Sequence, residues 1–382
     1  MNALHLSALD TLFFRDGKPF TMGDETWANG IFPPFPSVFY GALRSIWFAS
    51  DLNKLADATN DRKNQKEKTL NRDKSLDLNI KGLLPTIDNE LFFPIPNDLY
   101  GVKRASENEA HKLKCIAKPP DLISDYGYEC LLQTKQNETI KVDELSGKAL
   151  LCRHSFETYL ENNSGSFTIT RLSDIVLVEP KVGIGRNFDT RTTETGQLYR
   201  VAMRRLHSEI KDGNGKQLGF AVNYDGLDDL PSHGLSRFGA EIKAVEYTAY
   251  TGSWDIACPV EEGAKDFKIY MATPAVFDEG FYPELWFKDY GLTLLTAVFG
   301  RVQPIGGFDI KEVKPKSMRR AVPAGTVYYV RSEKGFTSVL KNALHGGSIY
   351  NLAPDDNELK KEMLPQGFGL SYVGKFKIET TT

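Results

Sequence analysis

The chain has 382 residues, of which 41% are hydrophobic and 25% are charged, and its formal net charge is -3. A slight acidic excess argues against a free-standing, non-specific nucleic-acid binder, so any contact with a polyanion has to be local. No apolar run reaches the roughly 18 residues that a membrane-spanning helix needs, and no basic segment followed by an apolar one opens the chain. We therefore expect a globular, cytoplasmic protein with two domains of ordinary size and no membrane contact.

The first segment predicts a strand followed by a turn. Residues 4–9 alternate apolar with small or polar positions, and the Leu-Phe-Phe run at 12–14 extends this pattern. A turn with two cations, Arg15 and Lys18, follows this run. The proline-rich stretch at 32–36 cannot lie inside a helix or a central strand, so the chain turns again there.

The next segment predicts an amphipathic helix. Ser37 is the predicted N-cap of a helix over residues 38–47. Gly41 would allow this helix to approach a sheet closely. An apolar stripe at helical spacing predicts the buried face of this helix, and it consists of Phe39, Leu43, Ile46 and Trp47.

A charged stretch follows, and after it the sequence predicts a hairpin. From about residue 51 to residue 79 the chain interleaves both signs of charge, which favours a solvated insertion, with an RNA contact as the alternative. Strand-like runs return at residues 82–88 and 90–94 around a short turn at Asn89. A strand, a helix and a hairpin in succession fit an α+β sandwich, in which a helix covers one face of an antiparallel sheet.

A basic cluster lies in the middle of the chain. Between residues 179 and 205, six Lys and Arg residues outnumber three acids. The hydroxyls and cations at 189–193 can bind phosphate and sugar oxygens without reading bases. The alternative is a long surface hairpin whose Tyr199, Val201 and Met203 face inward while its arginines are solvated. The sequence favours neither interpretation.

A second basic cluster lies between residues 301 and 320, where six cations accompany two acids and a Gly306-Gly307 turn. Glycines let a ligand backbone approach the main chain closely, and amides without side-chain bulk can donate to phosphate oxygens. An apolar strand is predicted directly afterwards, at residues 321–328. A further glycine-alternating stretch lies at residues 367–374. This arrangement suits an extended polyanion.

Other segments of the second half predict regular elements. Residues 233–241 form a glycine-punctuated stretch, in which Phe238 is assigned to the core rather than to a base-stacking surface. A strand is predicted at residues 267–271. Residues 292–299 carry apolar side chains at helical spacing, which predicts a helix that ends near Gly300.

The cysteines do not indicate a metal site or a disulfide framework. The chain has four cysteines and no C-x-x-C pair, so free thiols are expected. A zinc site at His111, Cys115 and Cys130 is the less favoured alternative, because only the first spacing is typical of zinc ligands.

The sequence also shows no recognisable set of catalytic residues. Asp309 is a single acid where metal-dependent nucleotide polymerisation needs two. An endoribonuclease would need a positioned histidine, for which His5, His233 and His345 are available. No P-loop, dinucleotide fingerprint or nucleophile elbow occurs. We therefore expect a protein without enzyme activity and without a cofactor.

Ten short motifs occur in an order that is specific for one family. They are Leu12 to Phe20, Pro33-Pro34, Phe39-Tyr40-Gly41-Ala42-Leu43-Arg44, Gly183-Ile184-Gly185-Arg186, Arg191-Thr192, Gly196-Gln197-Leu198-Tyr199, Phe238-Gly239-Ala240-Glu241, Gly306-Gly307-Phe308-Asp309, Arg320 to Tyr328 and Gly367 to Gly374. This set resembles the Cmr-module subunit of type III-B CRISPR effectors across nearly the whole chain. Gly239-Ala240 stands where a Gly-Gly pair is expected.

The resemblance implies a RAMP-superfamily protein with two ferredoxin-like, RRM-related domains. We place them at residues 1–175, with the charged insertion, and 176–382, with the basic hairpin and the glycine-rich loops. In that family this subunit holds the 5′ tag of the guide crRNA and docks the large polymerase-like subunit, while neighbouring backbone RAMP subunits cut target RNA. The alternative is a RAMP endoribonuclease that processes guide RNA by metal-independent acid–base catalysis.

The resemblance also implies a set of RNA-binding residues. Lys316, Arg319 and Arg320 match the basic stretch before the family's strand, and Gly367 to Gly374 matches its terminal loop. The complete set of candidates is Arg15, Lys18, Arg44, Arg186, Arg191, Arg237, Lys316, Arg319, Arg320, Gly306, Gly307, Gly367 and Gly369.

Overall fold

The chain forms two compact units that are interleaved in sequence. The computed structural model describes residues 2–15, 27–28, 30–56, 73–102, 108–120, 122, 127–134, 142–162, 165–206, 216–309 and 314–379. Unit 1 comprises Met1–Leu78, Ser173–Tyr250 and Pro304–Arg320. Unit 2 comprises Asn79–Leu172, Thr251–Gln303 and Ala321–Thr382. The sequence predicted two consecutive domains with a boundary at residue 175. The chain passes from unit 2 to unit 1 close to this position, between Leu172 and Ser173.

The strands are numbered in chain order. Those of the first half are β1 Asn2–Ala8, β2 Trp27–Ala28, β3 Asn79–Ile87, β4 Glu90–Pro94, β5 Leu99–Val102, β6 Glu109–Lys112, β7 Lys114–Ala117, β8 Cys130–Gln133, β9 Val142–Asp143, β10 Ala149–Cys152, β11 Ser166–Arg171, β12 Leu177–Arg186 and β13 Thr193–Arg205. Those of the second half are β14 Leu218–Asp225, β15 Gly234–Arg237, β16 Ala244–Ala249, β17 Asp266–Met271, β18 Ala275–Val276, β19 Leu292–Val298, β20 Gln303–Ile305, β21 Phe308–Asp309, β22 Lys314–Pro315, β23 Arg319–Val322, β24 Val327–Ser332, β25 Gly347–Ser348, β26 Leu370–Gly374 and β27 Ile378–Glu379.

In the described part of the chain, α-helices are fewer than strands. The α-helices are α1 Pro36–Ser50, α2 Arg153–Leu160, α3 Glu284–Asp289, α4 Ser338–Leu344 and α5 Glu358–Met363, and 3-10 turns lie at Lys74–Asp77, Leu172–Asp174 and Ile349–Leu352. None of the helices in the described part of the chain has the length and apolar character of a membrane span.

Unit 1 is built on an antiparallel sheet in the order β15-β16-β1-β14. Leu4 and Leu6 of β1 are buried between half-buried neighbours, as the predicted alternation requires. A second sheet of unit 1 has the order β12-β13-β2. The short ladder β21-β22 also lies in this unit.

Helix α1 begins earlier than predicted. Phe35 is its N-cap and makes no side-chain capping bond, and Pro36 lies in the first turn, where no intrahelical N–H bond is lost. The prediction that Ser37 caps this helix is therefore wrong. Gly41 is exposed and a Cβ at this position would contact nothing within 4 Å, so this glycine does not serve close packing as expected.

The predicted apolar stripe of α1 is confirmed, because all four of its members are buried. The Phe39 ring in this stripe lies 5.1 Å from the ring of Phe220 in β14 and 4.9 Å from that of Phe238. Phe238 is 1% exposed, which confirms its assignment to the core. Aromatic rings thus join the helix to the sheet.

Unit 2 contains two larger antiparallel sheets. Their orders are β3-β4-β10-β11-β6-β5-β9 and β19-β24-β17-β26-β25. The predicted hairpin of β3 and β4 is confirmed, and its turn residues Asp88 and Asn89 have φ angles of 51° and 68°. Asp and Asn tolerate this left-handed conformation better than most residues. The small sheet β27-β7-β8 includes a parallel pair, β27 and β7.

The helix predicted over residues 292–299 is wrong, because this segment is the strand β19. A β-bulge between Leu294 and Thr296 adds one residue to the strand. The extra residue places buried Leu292 and Leu295 three positions apart. The bulged strand thereby acquires the apolar spacing of a helix.

A buried polar network lies inside unit 2. The Asp98 carboxylate accepts hydrogen bonds from the hydroxyls of Tyr159 at 2.9 Å and Tyr329 at 2.7 Å. The Lys268 amine is fully buried, donates to the Tyr159 carbonyl at 3.0 Å and lies 3.3 Å from the centre of the Tyr159 ring. Burial lowers the pKa of Lys268 well below its ordinary value.

Taken unit by unit, the described strands and helices form a mixed fold with mostly antiparallel sheets, as the α+β class predicted. The number of ferredoxin-like domains stays a prediction.

Candidate nucleic-acid interface

The basic cluster in the middle of the chain forms a long β-hairpin of unit 1. β12 and β13, of 10 and 13 residues, pair antiparallel from Leu177 opposite Arg205 onward. Val201 and Met203 on its inner face are 3% and 2% exposed and pack against Phe13. The predicted hairpin with an apolar inner face is therefore present.

The first glycine of the Gly183-Ile184-Gly185 motif has a packing role in this hairpin. Gly183 lies opposite Tyr199, and a Cβ at Gly183 would come within 2.1 Å of the Tyr199 ring. The absence of a side chain lets the tyrosine ring cross the neighbouring strand. Glycine is therefore required here for cross-strand packing.

Main-chain hydrogen bonds fix the base of the hairpin. The Leu12 N–H donates to the Arg204 carbonyl at 2.8 Å, and the Arg204 N–H donates to the Leu12 carbonyl at 2.7 Å. The Ala240 N–H donates to the Phe13 carbonyl at 2.8 Å. Gly239, at φ 78°, leaves no room for a Cβ, which would lie 2.5 Å from the same carbonyl. The Gly239-Ala240 pair therefore keeps a close backbone approach, with glycine at the position that needs it.

Ion pairs neutralise the cations near the base. Arg205 donates through two nitrogens to Glu179, and this interaction lowers the pKa of that carboxyl. Lys181 contacts Glu241 at 3.1 Å. Lys243 donates to Asp10 at 2.7 Å and lowers the pKa of its carboxyl. The basal cations thus have intramolecular acidic partners.

The tip of the hairpin, residues 187–192, has a different character. The Asn187 side chain accepts hydrogen bonds from the N–H groups of Asp189 and Thr190, both at 3.0 Å. The Arg186 guanidinium donates to the Arg191 carbonyl at 3.1 Å. Arg191 itself is exposed and has a φ angle of 59°. These bonds order the tip and bring two predicted residues, Arg186 and Arg191, side by side.

Phe188 is the residue at this tip that sequence reasoning missed. Its side chain is 96% exposed, between two exposed arginines. An exposed aromatic ring beside cations can stack on an unpaired base while the cations bind the flanking phosphates. The sequence signal that could have identified Phe188 is a single aromatic residue in a polar turn between two strands.

The second basic cluster also brings predicted residues together. The Lys316 N–H donates to the Gly307 carbonyl at 2.9 Å, next to the β21-β22 ladder. Gly306 is half-buried, whereas Gly307 and Lys316 are exposed. Further along, Arg319 is half-buried and Arg320 is exposed at the start of β23. Residues 310–313 of this cluster lie outside the described residues.

The remaining cationic candidates that the structure describes all belong to unit 1. The Arg44 guanidinium donates to Asp73 at 3.0 Å and to the Ser75 hydroxyl at 2.8 Å, so it stabilises the fold locally. Arg15 is exposed, and Arg237 is exposed on the edge strand β15. Lys18 lies outside the described residues, as does most of the charged insertion predicted at 51–79.

Gly367 and Gly369 are buried, and packing accounts for both glycines. Their φ angles are 84° and 71°. A Cβ at Gly367 would lie 2.7 Å from the Ile80 side chain, and one at Gly369 would lie 2.8 Å from the Tyr350 ring. The expected open glycine loop is therefore a tightly packed part of unit 2, and its last residues form β26.

A comparison with protein families decides the identity. A profile described as CRISPR-associated protein (Cas_Cmr3) matches residues 4–375. The chain belongs to this family. The resemblance to a Cmr-module subunit drawn from the ordered motifs is thus confirmed. No curated protein matches this Cas_Cmr3 family member at a significant level.

Solved structures show distant likenesses to the Cas_Cmr3 chain. One is a chain from the cryo-EM structure of type III-B Cmr-beta bound to cognate target RNA, at 16% identity and a TM-score of 0.47, with 86% of each chain covered. Another comes from the same type of complex with target RNA and AMPPnP, at 16% identity and a TM-score of 0.48, again with 86% of each chain covered. A third is from a Csm3–Csm4 subcomplex of a type III-A complex, at 11% identity and a TM-score of 0.36, with 91% of this chain and 97% of the other covered.

The three histidines considered for catalysis differ in their surroundings in the Cas_Cmr3 chain. Both ring nitrogens of His345 are engaged by the backbone, at 2.8 Å from the Ile256 carbonyl and 3.2 Å from the Val373 nitrogen. His5 is half-buried in β1, and burial lowers its pKa. His233 is exposed before β15. These three histidines thus lie on or beside three different elements of the fold, β1, β15 and α4.

Cys115 and Cys130 are both buried, on the paired strands β7 and β8. Burial raises the pKa of both thiols, which disfavours the thiolate form that metals bind. Among the residues that the structure describes, no group of three or more His, Cys, Asp or Glu is placed to hold a metal ion.

Proposed function

We propose that this protein is a non-catalytic RNA-binding subunit of a type III-B CRISPR effector complex. In this role it holds the 5′ tag of the guide crRNA, docks the large polymerase-like subunit and contacts a backbone RAMP subunit, and it meets target RNA only indirectly. The observation that carries the proposal is the family match over residues 4–375.

The charge distribution supports a local grip on RNA. The chain has a net charge of -3, and the cations at the base of the β12–β13 hairpin are paired with acids. Arg186 and Arg191 lie together at the exposed tip, next to Phe188. Phosphate contacts from such cations position an RNA strand without reading its sequence, and ring stacking tolerates any base.

Co-purification from the native host tests the proposal. The affinity-tagged protein is isolated, its bound RNA is sequenced and its bound proteins are identified by mass spectrometry. We expect short RNAs that share one 5′ segment, together with a large polymerase-like subunit and other RAMP proteins. A monomer that carries neither RNA nor these subunits would contradict the proposal.

A double substitution tests the second basic cluster. Arg319→Ala with Arg320→Ala should weaken crRNA binding and lower the slope of log affinity against log salt by roughly 0.7 for each single-strand phosphate that the variant leaves without a cation. Lys334→Ala, at an exposed lysine of unit 2, is the matched control. Binding measured by fluorescence anisotropy across a salt series checks this, and an unchanged affinity with an unchanged slope would count against the cluster.

A further inference from the structure

Unit 2 contains a cavity that none of the candidate RNA-binding residues lines. Its volume is about 580 Å³, and small-molecule sites in proteins occupy about 300–1,000 Å³. Lys112 of β6 and Cys115 of β7 lie in its wall, together with Asn162, which follows α2, and Phe376, which follows β26. The cavity therefore has the size of a ligand site and lies within a single unit.

Regular structure holds the walls of this cavity in place. The Lys375 N–H donates to the Leu160 carbonyl at 2.7 Å, which ties the segment after β26 to the end of α2. Beyond this bond, β27 pairs with β7 in a parallel ladder. The rings of Phe376 and Tyr329 are buried and pack edge to face, with their centres 4.8 Å apart. Backbone pairing and ring packing thus shape the cavity.

Lys112 is a cation in this wall without an acidic partner. Within the described part of the chain its amine forms no ion pair, and it donates a hydrogen bond to the amide oxygen of Asn162. Glu379 also lines the cavity, but it pairs with Lys114 at 2.7 Å. The positive charge of Lys112 therefore stays unpaired.

A second amine adds to this positive charge. The fully buried Lys268 amine lies within hydrogen-bonding reach of the Lys112 amine. Asp98 acts electrostatically on both amines, and its carboxylate already accepts hydrogen bonds from two tyrosine hydroxyls. Burial lowers the pKa of both amines. Two ammonium groups beside one carboxylate leave a positive charge uncompensated, which an anion in the cavity neutralises.

Asn162 supplies further donors beside Lys112. It follows the C-cap of α2 with a φ angle of 67°, a left-handed conformation that asparagine tolerates better than most residues. Its amide oxygen accepts from Lys112, so its amide nitrogen keeps two N–H donors. An ammonium and an amide nitrogen side by side match the two oxygens of a carboxylate.

The exposed part of the lining indicates the charge of the ligand. The acids and lysines there are equal in number, so they add no net charge to the excess at Lys112. They are Glu161, Glu261, Glu379, Lys114, Lys375 and Lys377. Asp266, which also lines the cavity, is engaged by Arg331 at 2.8 Å. A single excess positive charge suits a monoanion better than a phosphate ester with two charges.

We propose that this cavity binds a small organic monocarboxylate. The ligand carboxylate accepts hydrogen bonds from the Lys112 amine and the Asn162 amide. Its apolar body contacts Val260 and Phe376, which are buried apolar residues of the lining. The inference goes beyond RNA binding and does not rest on it.

Saturation-transfer NMR titrations of the full-length protein test which charge the cavity selects. The probes are 4-phenylbutyrate, its neutral amide 4-phenylbutyramide, and the dianion 3-phenylpropyl phosphate. We expect the carboxylate to bind at least about tenfold more tightly than the other two, because the amide loses the charge-assisted hydrogen bonds and the phosphate carries one charge too many. Equal or tighter binding of the amide or the phosphate would overturn the proposal, as would no binding of the carboxylate at millimolar concentration.

Substitutions locate the binding of 4-phenylbutyrate. Lys112→Met keeps an unbranched side chain but removes the ammonium, and it should weaken binding at least about tenfold. Asn162→Asp keeps a residue type that tolerates the left-handed conformation and should also weaken binding, since it places a second carboxylate at the site. This variant replaces the first if thermal unfolding shows that Lys112→Met does not fold. Lys288→Met, at an exposed lysine of α3 outside the lining, is the control.

Other results for these variants would contradict the assignment. Wild-type affinity of a folded Lys112→Met or Asn162→Asp variant would overturn the site, and so would an equal loss in Lys288→Met. The crRNA affinity of Lys112→Met should equal that of the wild type. A fall in that affinity would assign the cavity to RNA and overturn the inference, whereas failure of the carboxylate to bind leaves the proposed function intact.

A competition experiment identifies the source of the carboxylate. A peptide that ends in a C-terminal phenylalanine carries the same anion on a protein chain. We expect this peptide to displace 4-phenylbutyrate only at concentrations above those at which free 4-phenylbutyrate itself saturates the site. Displacement at lower concentrations would assign the cavity to the C-terminus of a protein and overturn the small-molecule ligand.

Discussion

Glycines with similar backbone angles have different surroundings in this chain. Gly369 and Gly147 have φ angles of 71° and 65°, but a Cβ would meet the Tyr350 ring at 2.8 Å only at Gly369, while Gly147 faces open space. Glycine at position 369 is thus explained by packing. The Tyr350 ring fills the space that a side chain would need at this position.

Alanine substitutions test this distinction. Both Gly147→Ala and Gly369→Ala force a left-handed residue with a Cβ, which costs about 1–2 kcal/mol. Overpacking against Tyr350 should add about 1–3 kcal/mol to the loss at Gly369. Denaturant unfolding of both variants measures the difference. Equal losses of stability, combined with weaker crRNA binding by Gly369→Ala, would restore the RNA role of this loop.

The buried Lys268 predicts a pH dependence of stability. Its folded-state pKa is lowered by burial, so between that pKa and the ordinary value the unfolded chain binds one more proton than the folded chain. The free energy of unfolding then rises with pH, by at most about 1.4 kcal/mol per pH unit. Buried tyrosines, whose pKa values are raised, change the free energy of unfolding only above about pH 10.

Removal of the amine should flatten this dependence. Lys268→Met lacks the titrating group and should show a smaller rise in the free energy of unfolding between about pH 7 and pH 9. Lys334→Met, which removes an exposed lysine of the same unit, should keep the wild-type slope. Denaturant unfolding across this pH range gives both slopes. Equal slopes in the two variants would show that Lys268 does not titrate in the folded protein as described.

At the scale of elements, the hairpin tip is predicted to provide phosphate contacts. Arg186→Ala with Arg191→Ala should weaken crRNA binding and lower the salt slope by about 1.4, since each contact to a single strand contributes about 0.7. Lys181→Ala is the matched control, because Lys181 lies in the same hairpin but is paired with Glu241. Anisotropy titrations across a salt series decide the result. Equal slopes for the two variants would contradict a role of the tip.

Elements whose local pattern agrees with their tertiary environment were predictable from the sequence. The β3–β4 hairpin has two strand-like runs and a turn whose Asp88 and Asn89 tolerate positive φ, and the stripe of α1 has a single apolar period. β19 was misread because its bulge depends on pairing with β24, which no local window contains. The start of α1 was misplaced because a proline in the first turn competes with Ser37 as a signal.

Only part of the candidate site could be predicted from the sequence, because residue identity is local whereas contacts depend on the fold. Arg186 and Arg191 could be named from charge and composition, whereas their contact and the exposure of Phe188 follow from the turn geometry. The candidate Arg44, which belongs to one of the family motifs, has a partner, Asp73, in a distant part of the sequence. Sequence thus identifies cations, but only the fold shows which of them an acid has already neutralised.

At the scale of the whole molecule, the histidines are predicted to be dispensable for chemistry. His5→Gln, His233→Gln and His345→Gln should each leave target-RNA cutting by the assembled complex within a few-fold of the wild-type rate. Loss of a general acid or base would lower that rate by about 10²- to 10⁴-fold. Single-turnover cleavage by purified complexes measures this. A fall of that size in a folded, assembled variant would count against the non-catalytic role.

Because the two units are interleaved in sequence, strands that pair with one another are synthesised far apart in time, and this affects folding during synthesis. β1 is a central strand of its sheet, and both of its neighbours, β14 and β16, come from residues after 217. At a ribosomal rate of about 5–20 residues per second, about 10 to 40 s pass between the synthesis of β1 and the synthesis of β14, its first partner strand. During synthesis both edges of this apolar strand are open to other chains. The yield of folded protein should therefore depend on translation speed and on chaperones that cover the nascent N-terminal strand until its partners emerge.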